Sequence, residues 1–315
     1  MRVLITGAMG FIGNYLTGFL ARNGDDVWGT YYADEKPKRT QFAKNVRHVK
    51  CDIRDVERVY SLISQVKPER IYHLAAQSFP TTSWKEPVLT FEANAIGTIN
   101  LFQSVLVQKI KPKILVACSS AEYGFISEKD VPVREDHSLM PLHPYGVSKV
   151  AQDLLAYQYF VNFGVFTVRV RIFNVTGPGK TGDVLSDFAR RIVNIEKGEA
   201  PPVLKVGNLQ SRRDMTDVRD AVKGLYLALE RGKAGDVYNL CSGEAHQISE
   251  LLRTMLSLAK KSVKTEVDPS LLRPSDEPII MGSNEKLHKQ TGWRSTIPIR
   301  KTVEDILNYW RQHQE

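Results

Sequence analysis

The sequence predicts an α/β protein built on a doubly wound parallel sheet, with a smaller, mostly helical lobe from the C-terminal part of the chain. Three observations predict it. Short, nearly continuous apolar runs alternate with helix-length segments through the first half; strands of that texture are buried on both faces, as in a parallel sheet covered by helices. A glycine-rich turn follows the first of those runs. After residue 174 the texture changes to loops marked by Gly and Pro, with later helices and few strands.

In chain order, the apolar runs place strands over 2–5, 27–31, 46–50, 70–74, 113–117 and 167–172. Helical segments fall between most of them, over 13–22, 56–65, 94–106 and 145–163, and right-handed crossovers then wind the sheet on both faces. Beyond residue 174 the helical segments are 186–197, 217–231, 249–260 and 302–314.

A chain of 315 residues suits one large α/β body with a smaller lobe. With 42% hydrophobic and 25% charged residues, the composition is that of a soluble globular protein. No apolar run is long enough to span a bilayer, and the run after Met1 is too short for a secretory signal, so a cytoplasmic location is expected. Three dispersed cysteines predict reduced thiols, and seven scattered histidines predict no metal site. The net charge of +8 is spread along the chain without a basic run or interleaved aromatics. Neither nucleic acid nor membrane is an expected partner, and an anionic small substrate fits the field equally well.

The turn Thr6-Gly7-Ala8-Met9-Gly10-Phe11-Ile12-Gly13 leaves the first strand and opens a helix. Gly7, Gly10 and Gly13 suit a tight turn, close approach of backbone N–H groups to a pyrophosphate, and close helix–strand packing. The second strand ends without an acidic residue to bind the adenine ribose of NAD. Asp34 and Glu35 come slightly late, and Lys36, Lys38 and Arg39 follow, which favours NADP(H) over NAD(H).

Tyr145-Gly146-Val147-Ser148-Lys149 sets a phenol and an ammonium at i and i+4 on one helix face. A nearby cation makes a phenol a better proton-exchanging group. Tyr32 and Lys36 share the spacing, but they fall at a strand end, whereas Tyr145 opens a helix just after Pro144.

This GxxGxxG turn, with Asp52-Ile53, His73-Leu74-Ala75-Ala76, Asn94 with Gly97-Thr98, Ser119-Ser120 and Tyr145/Lys149 in order, resembles the extended short-chain dehydrogenase/reductase family. The resemblance implies a Rossmann domain over 1–174, with later parts of the chain returning to it, and a lobe over 175–315 that mainly binds a nucleotide sugar. It implies cofactor contacts from Gly7, Gly10, Phe11, Ile12, Gly13, Asp52, Ile53, Leu74, Ala75, Ala76, Asn94, Tyr145, Lys149 and Phe173. The implied catalytic residues are Ser120, Tyr145 and Lys149, with Ser119 the nearest rival to Ser120. Glu122 is either an acid/base of the dehydratase kind or a structural residue.

Arg169 to Gly179, Gly207 to Asp214 and Arg273-Pro274-Ser275-Asp276 resemble the family's substrate segments. They imply substrate contacts from Asn174, Arg213, Arg273 and Asp276, joined by Gln77 and Ser119. Two separated arginines suit a pyrophosphate. Within the family the likeness is greatest to GDP-4-keto-6-deoxy-D-mannose reductases, which form GDP-D-rhamnose, and next to GDP-mannose 4,6-dehydratases. A nucleotide-sugar 4-epimerase shares the same core. The resemblance further implies a GDP-linked deoxyhexose substrate and a homodimer, with Leu154, Leu155, Tyr157 and Phe160 available for its contact.

Overall fold

The structure, a computed structural model, describes residues 1–32, 46–271 and 277–313. Its body runs β1 (Arg2–Thr6), α1 (Phe11–Arg22), β2 (Asp26–Tyr31), β3 (Val46–Lys50), α2 (Val56–Val66), β4 (Arg70–His73), α3 (Pro80–Lys85), α4 (Pro87–Phe91), α5 (Gly97–Val107), β5 (Lys113–Ser119), α6 (Pro144–Phe163) and β6 (Thr167–Ile172). Then follow β7 (Asn174–Thr176), α7 (Val184–Lys197), β8 (Val203–Val206), β9 (Arg212–Asp217), α8 (Val218–Arg231), β10 (Val237–Leu240), β11 (Ala245–Gln247), α9 (Ile248–Ser257), β12 (Lys264–Val267), β13 (Ile279–Ile280), α10 (Glu285–Thr291) and α11 (Ile299–Gln312).

Seven parallel strands form the main sheet in the order β10-β6-β5-β4-β1-β2-β3. The order reverses between β1 and β4, which opens a crevice at their C-terminal ends, where such sheets bind ligands. One face carries α1 and α8, packed on Val3, Ile5, Leu115 and Val168. The other carries α2, α5 and α6, packed on Leu4, Ile71, Ile114 and Val116.

The late chain is divided. β10 and α8 return to the main body, while α7, α9 and α11 enclose a separate apolar core around Phe188, Ile192 and Met255. Among the described residues, seven strands follow residue 173 where the periodicity suggests few, because most are only two to four residues long. The longest of them, Arg-Arg-Asp-Met-Thr-Asp in β9, is polar and carries no strand-like apolar alternation. Apart from β10, they make a four-stranded sheet of β7, β9, β11 and β13, and a pair of β8 with β12. No helix among the described residues is long and apolar enough to cross a membrane.

Candidate active site

The glycine turn fits a dinucleotide. Gly7 takes φ +74°, and a Cβ there would come within 2.8 Å of the Ala75 nitrogen. A Cβ on Gly13 would lie 2.2 Å from the Gly7 carbonyl oxygen, so α1 and the turn pack at a distance only glycine allows. Gly10 is the N-cap of α1 and brings no side-chain acceptor to the first-turn N–H groups. Those amides and the positive end of the helix suit a pyrophosphate. Phe11 and Ile12 are half-buried at the start of α1, beside Leu74, which packs on the same core. Lys180, which no spacing pointed to, lies over the Phe11 ring at 5.7 Å and hydrogen-bonds the Val175 carbonyl.

At the far end, Asp52 accepts hydrogen bonds from the Arg54 backbone and guanidinium, which hold its carboxyl below the usual range. Asp52 and Arg54 line a recess with Asp55, Glu92 and Ile96. Ile53 is buried against Gly97 at the start of α5. Asp34, Glu35, Lys36, Lys38 and Arg39, from which NADP(H) was favoured, lie outside the described residues.

Between α4 and α5 the helix widens into a π-turn at Glu92–Ile96, a distortion common at functional sites. It aims Asn94 inward. Asn94 Oδ1 accepts from the Gln77 N–H at 2.8 Å, and its Nδ2 donates to the Gln77 carbonyl and to Ser148 Oγ at 2.9 Å. Asn94 thus joins the loop after β4 to the helix that carries Tyr145 and Lys149. The Gln77 side chain is spent on the backbone of Phe79 and on the Thr90 hydroxyl of α4.

Helix α6 begins at Pro144, with His143 as its N-cap: His143 Nδ1 accepts from the Gly146 N–H at 3.0 Å. Burial holds that imidazole below its usual pKa, in the neutral state the cap needs. Its ring stacks on Tyr145. Burial pushes the Tyr145 phenol up to about 12, although Ser119, the last residue of β5, is near enough to lower it. Lys149 Nζ lies 5.9 Å from the Tyr145 ring centre. The structure thus sets Ser119 near Tyr145 and Lys149, and Ser120 lies in the short 3₁₀ turn that follows.

Glu122 closes that turn as half of a capping box. It accepts from the Ser119 N–H at 2.7 Å while Ser119 Oγ accepts from the Ala121 N–H. Its side chain is fully buried, 3.2 Å from Arg171 Nε, which also donates to Asp153 at 3.0 Å. Burial, and next the Asp153 charge, hold the Glu122 carboxyl well above its usual range. Cys118, Glu122 and Asp153 converge, but the Arg171 guanidinium already supplies the positive charge there.

Behind Lys149 lies His73, fully buried and pushed down to about 3 by desolvation and by the Lys149 charge. An unfolded chain protonates this imidazole below pH 6.5, whereas the fold does not until about 3. Stability is therefore expected to fall by about 1.4 kcal/mol for each unit the pH drops through that window, on this account alone. Urea unfolding at several pH values checks this, and an unchanged slope in His73→Gln would refute it.

Among the substrate candidates, Asn174 donates to the Asp214 carbonyl at 3.3 Å, and Arg213 donates to the Glu277 carbonyl at 2.8 Å. Both stand on neighbouring strands of the lobe sheet, β7 and β9. Phe173 is buried against Tyr123, Cys241 and Gly282. Arg273 and Asp276 lie outside the described residues.

A family described as GDP-mannose 4,6 dehydratase matches residues 4–306. The chain belongs to that family. It is therefore a nucleotide-sugar-modifying enzyme of the extended short-chain dehydrogenase/reductase type. It is 30% identical over 310 residues to a GDP-6-deoxy-D-mannose reductase of Pseudomonas aeruginosa, covering 98% of this chain and 97% of that one. Among solved structures, RMD from Pseudomonas aeruginosa complexed with NADPH superposes with a TM-score of 0.86 at 28% identity, covering 99% of both chains. The UDP-glucose 4-epimerase of Thermus thermophilus in complex with NAD gives 0.87 at 29% identity, again over 99% of both. A nicotinamide dinucleotide cofactor follows for the family, in agreement with the turn at Gly7 to Gly13.

Proposed function

We propose that this enzyme reduces the C4 ketone of GDP-4-keto-6-deoxy-D-mannose to GDP-D-rhamnose, with NADP(H) as the favoured cofactor. The observation that carries the reading is the burial of Glu122. A dehydratase needs an acid/base near C5 of the sugar, and this carboxyl is turned instead to the Ser119 N–H and Arg171. The reductase relative, similar over nearly its whole length, and the NADPH complex support the same choice.

When bound, the reduced nicotinamide supplies the hydride to C4. Ser119 and Tyr145 hydrogen-bond the carbonyl oxygen and stabilise the negative charge that develops there. Tyr145 then gives its proton to the alkoxide. A phenol that burial holds above the ordinary tyrosine range is protonated at neutral pH, which is the state a proton donor requires. Lys149 lends positive charge beside it as the phenolate forms. In the substrate lobe, Asn174, Arg213, Arg273 and Asp276 are proposed to hold the GDP-sugar. Homodimerisation is proposed through α5 and α6, where Val107, Leu154, Tyr157 and Val161 are exposed. Leu155 and Phe160 turn inward instead, Leu155 to the core and Phe160 against Gly235.

Stoichiometric oxidation of NADPH or NADH by GDP-4-keto-6-deoxymannose tests the reaction. Ser119→Ala is expected to lower kcat by about a hundredfold, and Ser120→Ala to leave it near the wild-type value. Release of a 4-keto sugar from GDP-mannose without added reductant would overturn the reading in favour of a dehydratase.

A further inference from the structure

We infer that Gln152 is a positioning residue that holds the Lys149 ammonium in place and ties it, through Thr98 and His73, to the strand end that opens the cofactor turn. The inference rests on the reading of Lys149 as the charged partner of Tyr145.

Lys149 Nζ donates to the Ala117 carbonyl at 2.8 Å and to Gln152 Oε1 at 2.7 Å. These bonds use two of its three hydrogens. Gln152 is fully buried one turn further along α6, and its Nε2 donates to Thr98 Oγ at 2.9 Å. The Thr98 hydroxyl proton goes to the Asn94 carbonyl at 2.6 Å, so Thr98 Oγ can only accept from its other neighbours. His73 Nε2, 2.9 Å away, must therefore carry a proton, and His73 Nδ1 accepts from Thr6 Oγ at 2.8 Å. Thr6 Oγ in turn accepts from the Ala75 N–H at 3.2 Å.

Each hydrogen in this series goes to one acceptor, and the direction is set from one end to the other. A Gln amide has two orientations, and only one presents its oxygen to an ammonium. Thr98 selects that orientation, because reversing Gln152 would oppose two acceptors and leave Lys149 facing an NH₂ group. Gln152 therefore acts on the charge of Lys149 as well as on its packing.

The ionisable groups that face Lys149 are Cys118 and Glu122 from β5 and its turn, His73 from β4, and Tyr145 on its own helix. Asp153 adjoins Gln152 but is held by Arg169 and Arg171. Gln152 is the side chain that meets the ammonium at hydrogen-bond distance, and it is uncharged.

The test is an NMR titration of lysine labelled at the ε-carbon, with the Lys149 signal assigned by its loss in Lys149→Met. Gln152→Leu removes a charge-accepting bond and is expected to lower the Lys149 pKa by about one unit. Gln152→Glu places a carboxylate there and is expected to raise it by about one unit or more. The alkaline limb of NADPH oxidation should move in the same two directions. A residue that only filled space would change stability in both variants and move neither titration, so one unchanged Lys149 pKa across all three proteins overturns the inference. If the pKa order holds while even the wild-type enzyme fails to oxidise NADPH with the keto sugar, the proposed reaction falls and the role of Gln152 stands.

Discussion

Tyr145→Phe is expected to lower kcat for ketone reduction by about two to four orders of magnitude, the range general acid catalysis contributes. The substitution removes one oxygen and leaves the ring, which stacks on His143 at the start of α6, in place. KM should change little, because the lost bond matters most when charge develops on the ketone oxygen. Steady-state NADPH oxidation measures both constants. A loss confined to KM would mean that the phenol only helps to bind the sugar, and the proton would then have to come from elsewhere.

The second large effect lies beneath the site. Arg171 Nε sits between two fully buried carboxyl groups, Glu122 and Asp153, and its Nη1 donates to Tyr123 Oη and to the Glu135 carbonyl. Removing Arg171 leaves the buried Glu122 without its cation and Asp153 with Arg169 alone, and breaking a buried charge cluster in this way costs about 3–5 kcal/mol. Arg171→Met is expected to destabilise the enzyme by that amount in urea or thermal unfolding. Glu122→Gln should be much milder: its carboxyl is already biased towards the neutral form, and an amide oxygen can still accept from the Ser119 N–H. A Glu122→Gln enzyme that reduced the keto sugar normally would also remove this residue from any acid/base role.

Much of the fold was legible because β1, β4 and β5 at the centre of the sheet are buried on both faces and read as apolar runs. Tyr145 and Lys149 were legible because helical spacing, Pro144 and the preceding strand all agreed. The choice between Ser119 and Ser120 was not. Side chains alternate across a strand, so a shift of one residue at the end of β5 sends a hydroxyl to the opposite side. Glu122 was ambiguous for a related reason: its spacing from the serines fits catalysis, and only the capping geometry of the 3₁₀ turn directs it inward. The π-turn at Asn94 was read as ordinary helix, since one extra residue in a turn leaves no mark on apolar periodicity. Gln152 looked like any polar helix residue until the partners of Lys149 were known.

The return of β10 to the edge of the main sheet governs how the protein can be made. While the chain is being synthesised, β6 has no outer neighbour until Val237–Leu240 has left the ribosome. Arg169 shares that wait, since its N–H and guanidinium bond the Asp236 and Gly235 carbonyls that immediately precede β10. A nascent chain ending near residue 174 therefore exposes an open strand edge, which invites association with other chains. A chain cut at that point is expected to aggregate when expressed alone, which its recovery in the soluble fraction would check.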